Sequence, residues 1–293
     1  MAFLFHILIL VCLYAVLAVS LDLIVGRLAC LSICQAGFFG LGAYTSALLA
    51  VHFPWLPFGC FMGAAAGVGM AFAVSFIISL PSLRLHDDYF VIATFGFQVI
   101  IFSIFNNWTG LTRGPLGIPG IPQPVIFGWH VDTHLEFLAL AAAFACFAYF
   151  VVYRITSSPF GRVLHAIRED EVFAKAHGKN TLYFKVTAFA VSAALAAMAG
   201  SLYAHYITYI DPTSFTVMES ILIISMVIIG GAGSLWGPLV GAIVLVTLPE
   251  ALRFFGLPSA VAANLRQIIY GALLVVMMMF RPRGLVGKYG FDR

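Results

Sequence analysis

The chain has 293 residues, 62% of them hydrophobic and only 9% charged, with a mean hydropathy of +1.04. A soluble domain carries about 25% charged residues, so this composition excludes a water-facing fold and fits one that faces lipid. The net charge of +3 excludes the dense basic face of a nucleic-acid binder and is read as membrane topology.

Apolar run length predicts an all-α, polytopic membrane protein of eight or nine spans in a single domain over 1–293. The runs fall at about 3–24, 33–51, 58–80 (ended by Pro81), 89–106, 135–153, 183–206, 216–231, 236–252 and 264–280. About 20 apolar residues cross a bilayer. The first run lacks a basic stretch before it, so Ala18-Val19-Ser20 is read as part of a retained helix and not as a cleavage site. Accessibility labelling of residue 2 decides between eight spans and nine.

Lysine and arginine set the orientation. Residues 154–185 hold Arg154, Arg162, Arg168, Lys175, Lys179 and Lys185, and the C-terminus holds Arg281, Arg283, Lys288 and Arg293. Both belong on the cytoplasmic side. The sixth span returns the chain outside and three more bring it back, so the parity agrees. The short loop 81–88 then falls inside, its Arg84 partly offset by Asp87 and Asp88. The loop 107–134, with Trp108, Arg113, Trp129 and several prolines, falls outside.

Glycines recur every fourth residue at Gly59, Gly63 and Gly67, and again at Gly237 and Gly241. Such faces let helix backbones approach closely, either inside this chain or against another subunit. Gln35 to Gly42 and Gly230 to Pro238 read as broken helix. That suits a translocation path, although the second also fits a cytoplasmic turn.

Several chemistries are missing. None of Lys175, Lys179, Lys185 and Lys288 is followed by Ser or Thr, so the phosphate-cradling G-x-x-x-x-G-K-[ST] loop cannot be written. Cys12, Cys30, Cys34, Cys60 and Cys146 sit in apolar runs without a C-x-x-C pair and read as small packing residues. His130 and His134, near Asp132 and Glu136, lack the H-E-x-x-H pattern and read as an interfacial loop. Asp22, Glu219 and Glu250 fall inside apolar runs near helix ends, where interfacial solvation accounts for them; a proton relay needs several such groups along one path.

The loop 158–180 is the informative one. Pro159 suits a helix start and Gly178 a helix stop. Val163, Ile167 and Phe173 make a partly apolar face beside the polar cluster Arg168, Glu169, Asp170 and Glu171. A short amphipathic helix of this kind suits a partner's groove or the lipid surface. Three consecutive acids argue against an anionic membrane.

The residues resemble one family along nearly the whole chain. The matching stretches are SICQAGFFGLGAY from Ser32, TGLTRGPLGI from Thr109, Arg162 to Gly178 with AIREDE at its centre, AGSLYAH from Ala199, GGAGSLWGP from Gly230 and RPRGL from Arg281. Together they resemble the second membrane permease subunit of the ATP-binding cassette importers for leucine, isoleucine and valine. Arg113 departs from the family, where a small residue, commonly Gly, is usual.

The resemblance implies a permease with no catalytic or metal site and no cofactor of its own, set in the bacterial inner membrane. Its partners would be a homologous permease, two cytoplasmic ATPases that use the ATP, and a periplasmic binding protein. It implies coupling contacts at Arg168, Glu169, Asp170, Glu171, Ala174 and Gly178. It implies a substrate path by alternating access past Gln35, Phe38, Phe39 and Tyr44. A urea or short-chain amide permease of the same superfamily is the nearest rival. An autonomous secondary transporter and an intramembrane enzyme are more distant ones.

Overall fold

The computed structural model describes residues 2–53, 59–83, 87–126, 129–130, 133–253, 259–281 and 284–287. Arg84, Asp132, Arg283, Lys288 and Arg293 lie outside these residues, as do the side chains of Gly59, Asp87, Trp129, His130 and Glu250.

Each of the nine apolar runs holds a helix: α1 (Ala2–Leu28), α2 (Gln35–His52), α3 (Gly59–Ser82), α4 (Asp87–Asn107), α6 (His134–Ser157), α9 (Thr181–Ile207), α10 (Val217–Gly230), α11 (Gly237–Arg253) and α12 (Ser259–Phe280). Shorter helices connect them: α5 (Thr109–Thr112), α7 (Pro159–Glu169) and α8 (Glu171–Ala176). Among the described residues five helices, α1, α3, α4, α6 and α9, are long and apolar enough to cross a membrane. Two antiparallel pairs are the only strands among the described residues: β1 (Ile118–Pro119) with β4 (Tyr209–Ile210), and β2 (Val125–Ile126) with β3 (Trp129–His130).

The core is α1, α2, α3 and α9, packed at close range by small residues. A methyl group on Gly42 would strike the Ala197 backbone of α9, and one on Gly200 would strike the Phe39 carbonyl of α2. The glycine repeats serve this packing inside the chain: Gly63 sits on Ser46, Gly67 on Gly42, and Gly241 on Met226.

The bundle has two distinct ends. At the basic end lie α7, α8 and residues 284–287, whose Leu285 and Val286 amides donate to the Ile229 and Gly230 carbonyls at 2.9 Å each. Thus residues 284–287 share one end with the Lys- and Arg-rich α7–α8 segment. At the other, loop end, His205 Nδ1 lies 2.7 Å from the Pro122 carbonyl. A carbonyl only accepts, so Nδ1 carries the hydrogen and Nε2 accepts from Ser46 Oγ at 2.9 Å.

Two helices begin inside the bundle. Gln35, the first residue of α2, donates from Nε2 to Ser20 Oγ at 2.8 Å. Ser20 lies eight residues before the end of α1, so α2 starts about 12 Å inside that end. Likewise Glu219, in the first turn of α10, accepts from the Tyr14 hydroxyl midway along α1. The two starts meet: the Ala36 amide donates to Ser220 Oγ at 3.0 Å and the Gly37 amide to Gln98 Oε1 at 2.7 Å, while Gln98 Nε2 donates to the Phe215 carbonyl at 2.9 Å. Backbone amides at such depth need protein partners, and Ser220 and Gln98 supply them.

Two expectations are corrected. Gln35 to Gly42 is not broken helix: α2 runs unbroken through Gly37, Gly40 and Gly42, and the irregular backbone lies before it, at 29–34. In α3 the helix ends at Ser82, one residue beyond Pro81.

Candidate coupling face and interior path

The loop between α6 and α9 forms two short helices where one was expected. Ser158 caps α7, accepting from the Gly161 amide, with Pro159 in the first turn. Gly161, Leu164 and Ile167 face inward. At Asp170 the backbone turns extended (φ −156°, ψ 107°), and its Oδ1 accepts from the Phe173 amide at 2.9 Å to cap α8. Gly178, at φ +73°, closes α8, with the Lys179 amide reaching the Ala174 carbonyl.

That break separates residues that one continuous helix would have put together. Ile167 is buried and Val163 half-buried, whereas Phe173 points outward, 60% exposed, next to Val172 at 76%. Phe173 packs against His177, the rings tilted by 43° with centroids 4.1 Å apart. Val172 escaped sequence reasoning; Asp170 followed by an acid and an apolar pair was the available signal for a second cap.

The acidic cluster divides by role. Glu169 is exposed, 3.8 Å from His165. Asp170 serves as a cap. Glu171 pairs with Lys185 at 2.6 Å and Lys175 at 3.0 Å and accepts from Thr181 at 2.9 Å, fastening α8 to α9. Burial pushes the Glu171 carboxyl up, and the bonds from Lys185, Lys175 and Thr181 outweigh it and hold it down at about 2. Arg168 turns inward and donates to the Gly26 carbonyl of α1. Ala174 is buried. An exposed patch of Glu169, Val172 and Phe173 therefore stands on an internally pinned frame.

The four interior residues do not converge on one cavity. Gln35, Phe38 and Phe39 are packed in the core, with Phe38 edge-on to Phe189 and Phe39 against Tyr203 and Phe215. Tyr44 is also buried, its ring stacked on Phe105 at 4.4 Å. It alone of the four borders an apolar cavity of about 420 Å³ toward the loop end, walled by Leu41, Leu48, Met70, Ile104 and Thr112. Its hydroxyl has no hydrogen-bond partner among the described residues.

Asp22 is not solvated at an interface: it is 1% exposed, and its Oδ1 accepts from the Gly233 amide at 2.7 Å. Glu219 is bound to Tyr14. Arg113 takes φ +60°, a left-handed conformation that glycine adopts freely. Among the described residues no three His, Cys, Asp or Glu side chains are placed to hold a metal.

The family described as "Branched-chain amino acid transport system / permease component" matches residues 3–278. The chain belongs to that family. It is 35% identical over 301 residues to the Escherichia coli high-affinity branched-chain amino acid transport system permease protein LivM, covering 93% of this chain and 67% of that protein. It is 28% identical to a probable LivM permease of Methanocaldococcus jannaschii, over 74% of this chain and 65% of that one. It is 24% identical to Escherichia coli LivH, over 94% and 91% respectively. No solved structure matches. This permease is a multi-pass membrane protein and a transport component.

Proposed function

We propose that this permease forms the translocation path of an ATP-binding cassette importer for branched-chain amino acids in the bacterial inner membrane. The family match over residues 3–278 carries the reading. It works with a homologous permease, two cytoplasmic ATPases and a periplasmic binding protein. It has no ATP site or enzymatic activity of its own. A urea or short-chain amide substrate is not favoured, since the relatives' names give branched-chain amino acids.

The basic end faces the cytoplasm by the positive-inside rule. There the α7–α8 segment seats in a groove of the ATPase, with Glu169, Val172 and Phe173 as the contact patch. Asp170, Glu171, Ala174 and Gly178 shape that patch. An exposed apolar pair rimmed by charge suits a protein groove. On the other side, the cavity beside Tyr44 takes the apolar side chain of the substrate. Gln35, Phe38 and Phe39, now packed shut, line the path when the two permeases reopen around it.

Uptake of labelled leucine, isoleucine and valine into proteoliposomes holding the full complex tests this reading. Uptake that needs ATP and the binding protein, and that excess urea leaves unchanged, is expected. Uptake that persists without ATP, or that urea suppresses, refutes it.

A further inference from the structure

Asp22 is a charged residue that the reading above does not use. It lies six residues before the end of α1, 1% exposed. One oxygen accepts from the Gly233 amide at 2.7 Å; the other is buried and has no partner among the described residues. An unpaired buried carboxylate oxygen is costly, even with the positive charge that Arg27 and Arg168 bring to its surroundings. Ordinary packing would be served better by an apolar residue, so a carboxylate here has another use.

What Asp22 holds is the turn between α10 and α11. One helical turn further on, Gly26 lets α1 press against that turn: a methyl group there would collide with both Asp22 and the Gly233 nitrogen. Gly26 lies in the last turn of α1, where carbonyls lack intrahelical partners; its carbonyl accepts from the Arg168 guanidinium, since the Cys30 amide goes to Ile24 instead. Two α1 residues four apart thus grip the end of α7 and the turn 231–236. The end of α10 that leads into that turn is tied to the C-terminal segment: the Leu285 and Val286 amides donate to the carbonyls of Ile229 and Gly230. Gly231 (φ +114°) and Gly233 (φ +80°) sit where glycine moves most freely, which suits the turn to change shape under load.

From these contacts we infer that Arg168, Gly26 and Asp22 form a mechanical joint between the α7–α8 segment and the α10–α11 turn. Asp22 is its positioning residue, straining the turn when the segment moves. The inference rests on the proposal that the ATPase docks on α7–α8. It assigns Arg168, adjacent to the docking patch in sequence, to the inside of the permease and not to the ATPase contact. A chain of packed and hydrogen-bonded groups transmits coupling only where an element has alternative arrangements, and the glycine turn is that element.

The test uses the full complex in proteoliposomes, measuring both ATP hydrolysis and amino acid uptake. Asp22→Ala and Arg168→Gln should each leave the ATPases bound and ATP hydrolysed, yet lower the uptake per ATP about tenfold. The double variant should be no worse than either single one, the mark of two residues in one linkage. Asp22→Asn keeps an acceptor for Gly233 and should restore coupling. If Asp22→Ala does not assemble, Arg168→Gln decides. Wild-type uptake per ATP in that variant overturns the joint. Loss of the ATPases from it also overturns the joint, by making Arg168 a direct docking contact. A wild-type complex that takes up amino acid without ATP refutes the docking proposal instead.

Discussion

Glycines in two stretches of this permease do opposite work. From Gly37 to Gly42 they are helical, and their missing side chains admit neighbours: Gly42 touches Ala197, while Gly200 on the facing helix touches Phe39. From Gly230 to Gly237 the chain leaves the helix. Gly231 and Gly233 take positive φ, and Asp22 holds the resulting turn. In the first stretch glycine supplies space and a rigid crossing of α2, α3 and α9. In the second it supplies backbone freedom at the end where the α7–α8 segment sits. The same residue thus supplies space in the core and backbone freedom in the turn, each by a different physical property.

The sharpest way to break the contrast is to fill the space. Gly200→Leu places a side chain into the Phe39 backbone, which cannot yield as a side chain does. Its cost should exceed the ~1–3 kcal/mol of ordinary overpacking, and size-exclusion chromatography after detergent extraction should find no monodisperse protein. Gly233→Ala attacks the other property. A left-handed alanine costs about 1–2 kcal/mol, so the protein should fold with a lowered melting midpoint, read by intrinsic fluorescence.

Smaller effects sharpen the boundary between frame and joint. Glu171→Gln loosens α8 from α9, and its cost should depend on pH. The Glu171 carboxyl is held at about 2 against an ordinary 4.5, so its stabilisation is fully present above pH 4.5. That contribution fades as pH falls toward 2. The gap in melting midpoint between wild type and variant should therefore be constant from pH 5 to 7 and close on acidification. Gly96→Ala, on α4, is the control: a methyl group there meets nothing within 4 Å. Stability of the isolated chain should not fall and should rise by about 0.5–1 kcal/mol from helix propensity alone.

Run length and hydropathy were enough to place a helix in each of the nine apolar runs, and among the described residues five of these are long and apolar enough to cross a membrane. The C-terminal segment and the α7–α8 segment at one end followed from charge alone. Depth was not legible: nothing in the residues before Gln35 says that α2 starts level with Ser20, since the Gln98 and Ser220 caps lie far away in sequence. The break at Asp170 was hidden because a mid-helix acid and a helix cap look alike until the backbone turns. Asp22 was read as near-interfacial from its distance to the helix end, yet the turn that covers it comes from residues 231–236. For the depth of α2 and for Asp22 a partner distant in sequence decided the outcome, and one chain's periodicity holds no record of it, whereas the Asp170 cap is local, to the Phe173 amide.

The central claim is that ATP is used by separate chains docked on α7–α8. It is tested most directly by gentle affinity purification from bacterial membranes, with mass spectrometry of what accompanies the permease. A second permease and P-loop ATPases should come with the wild type, and the ATPases should be missing from a Glu169→Lys, Phe173→Asp variant that still holds the second permease. Recovery of the wild-type chain alone, in a form that transports leucine without ATP, would contradict the account.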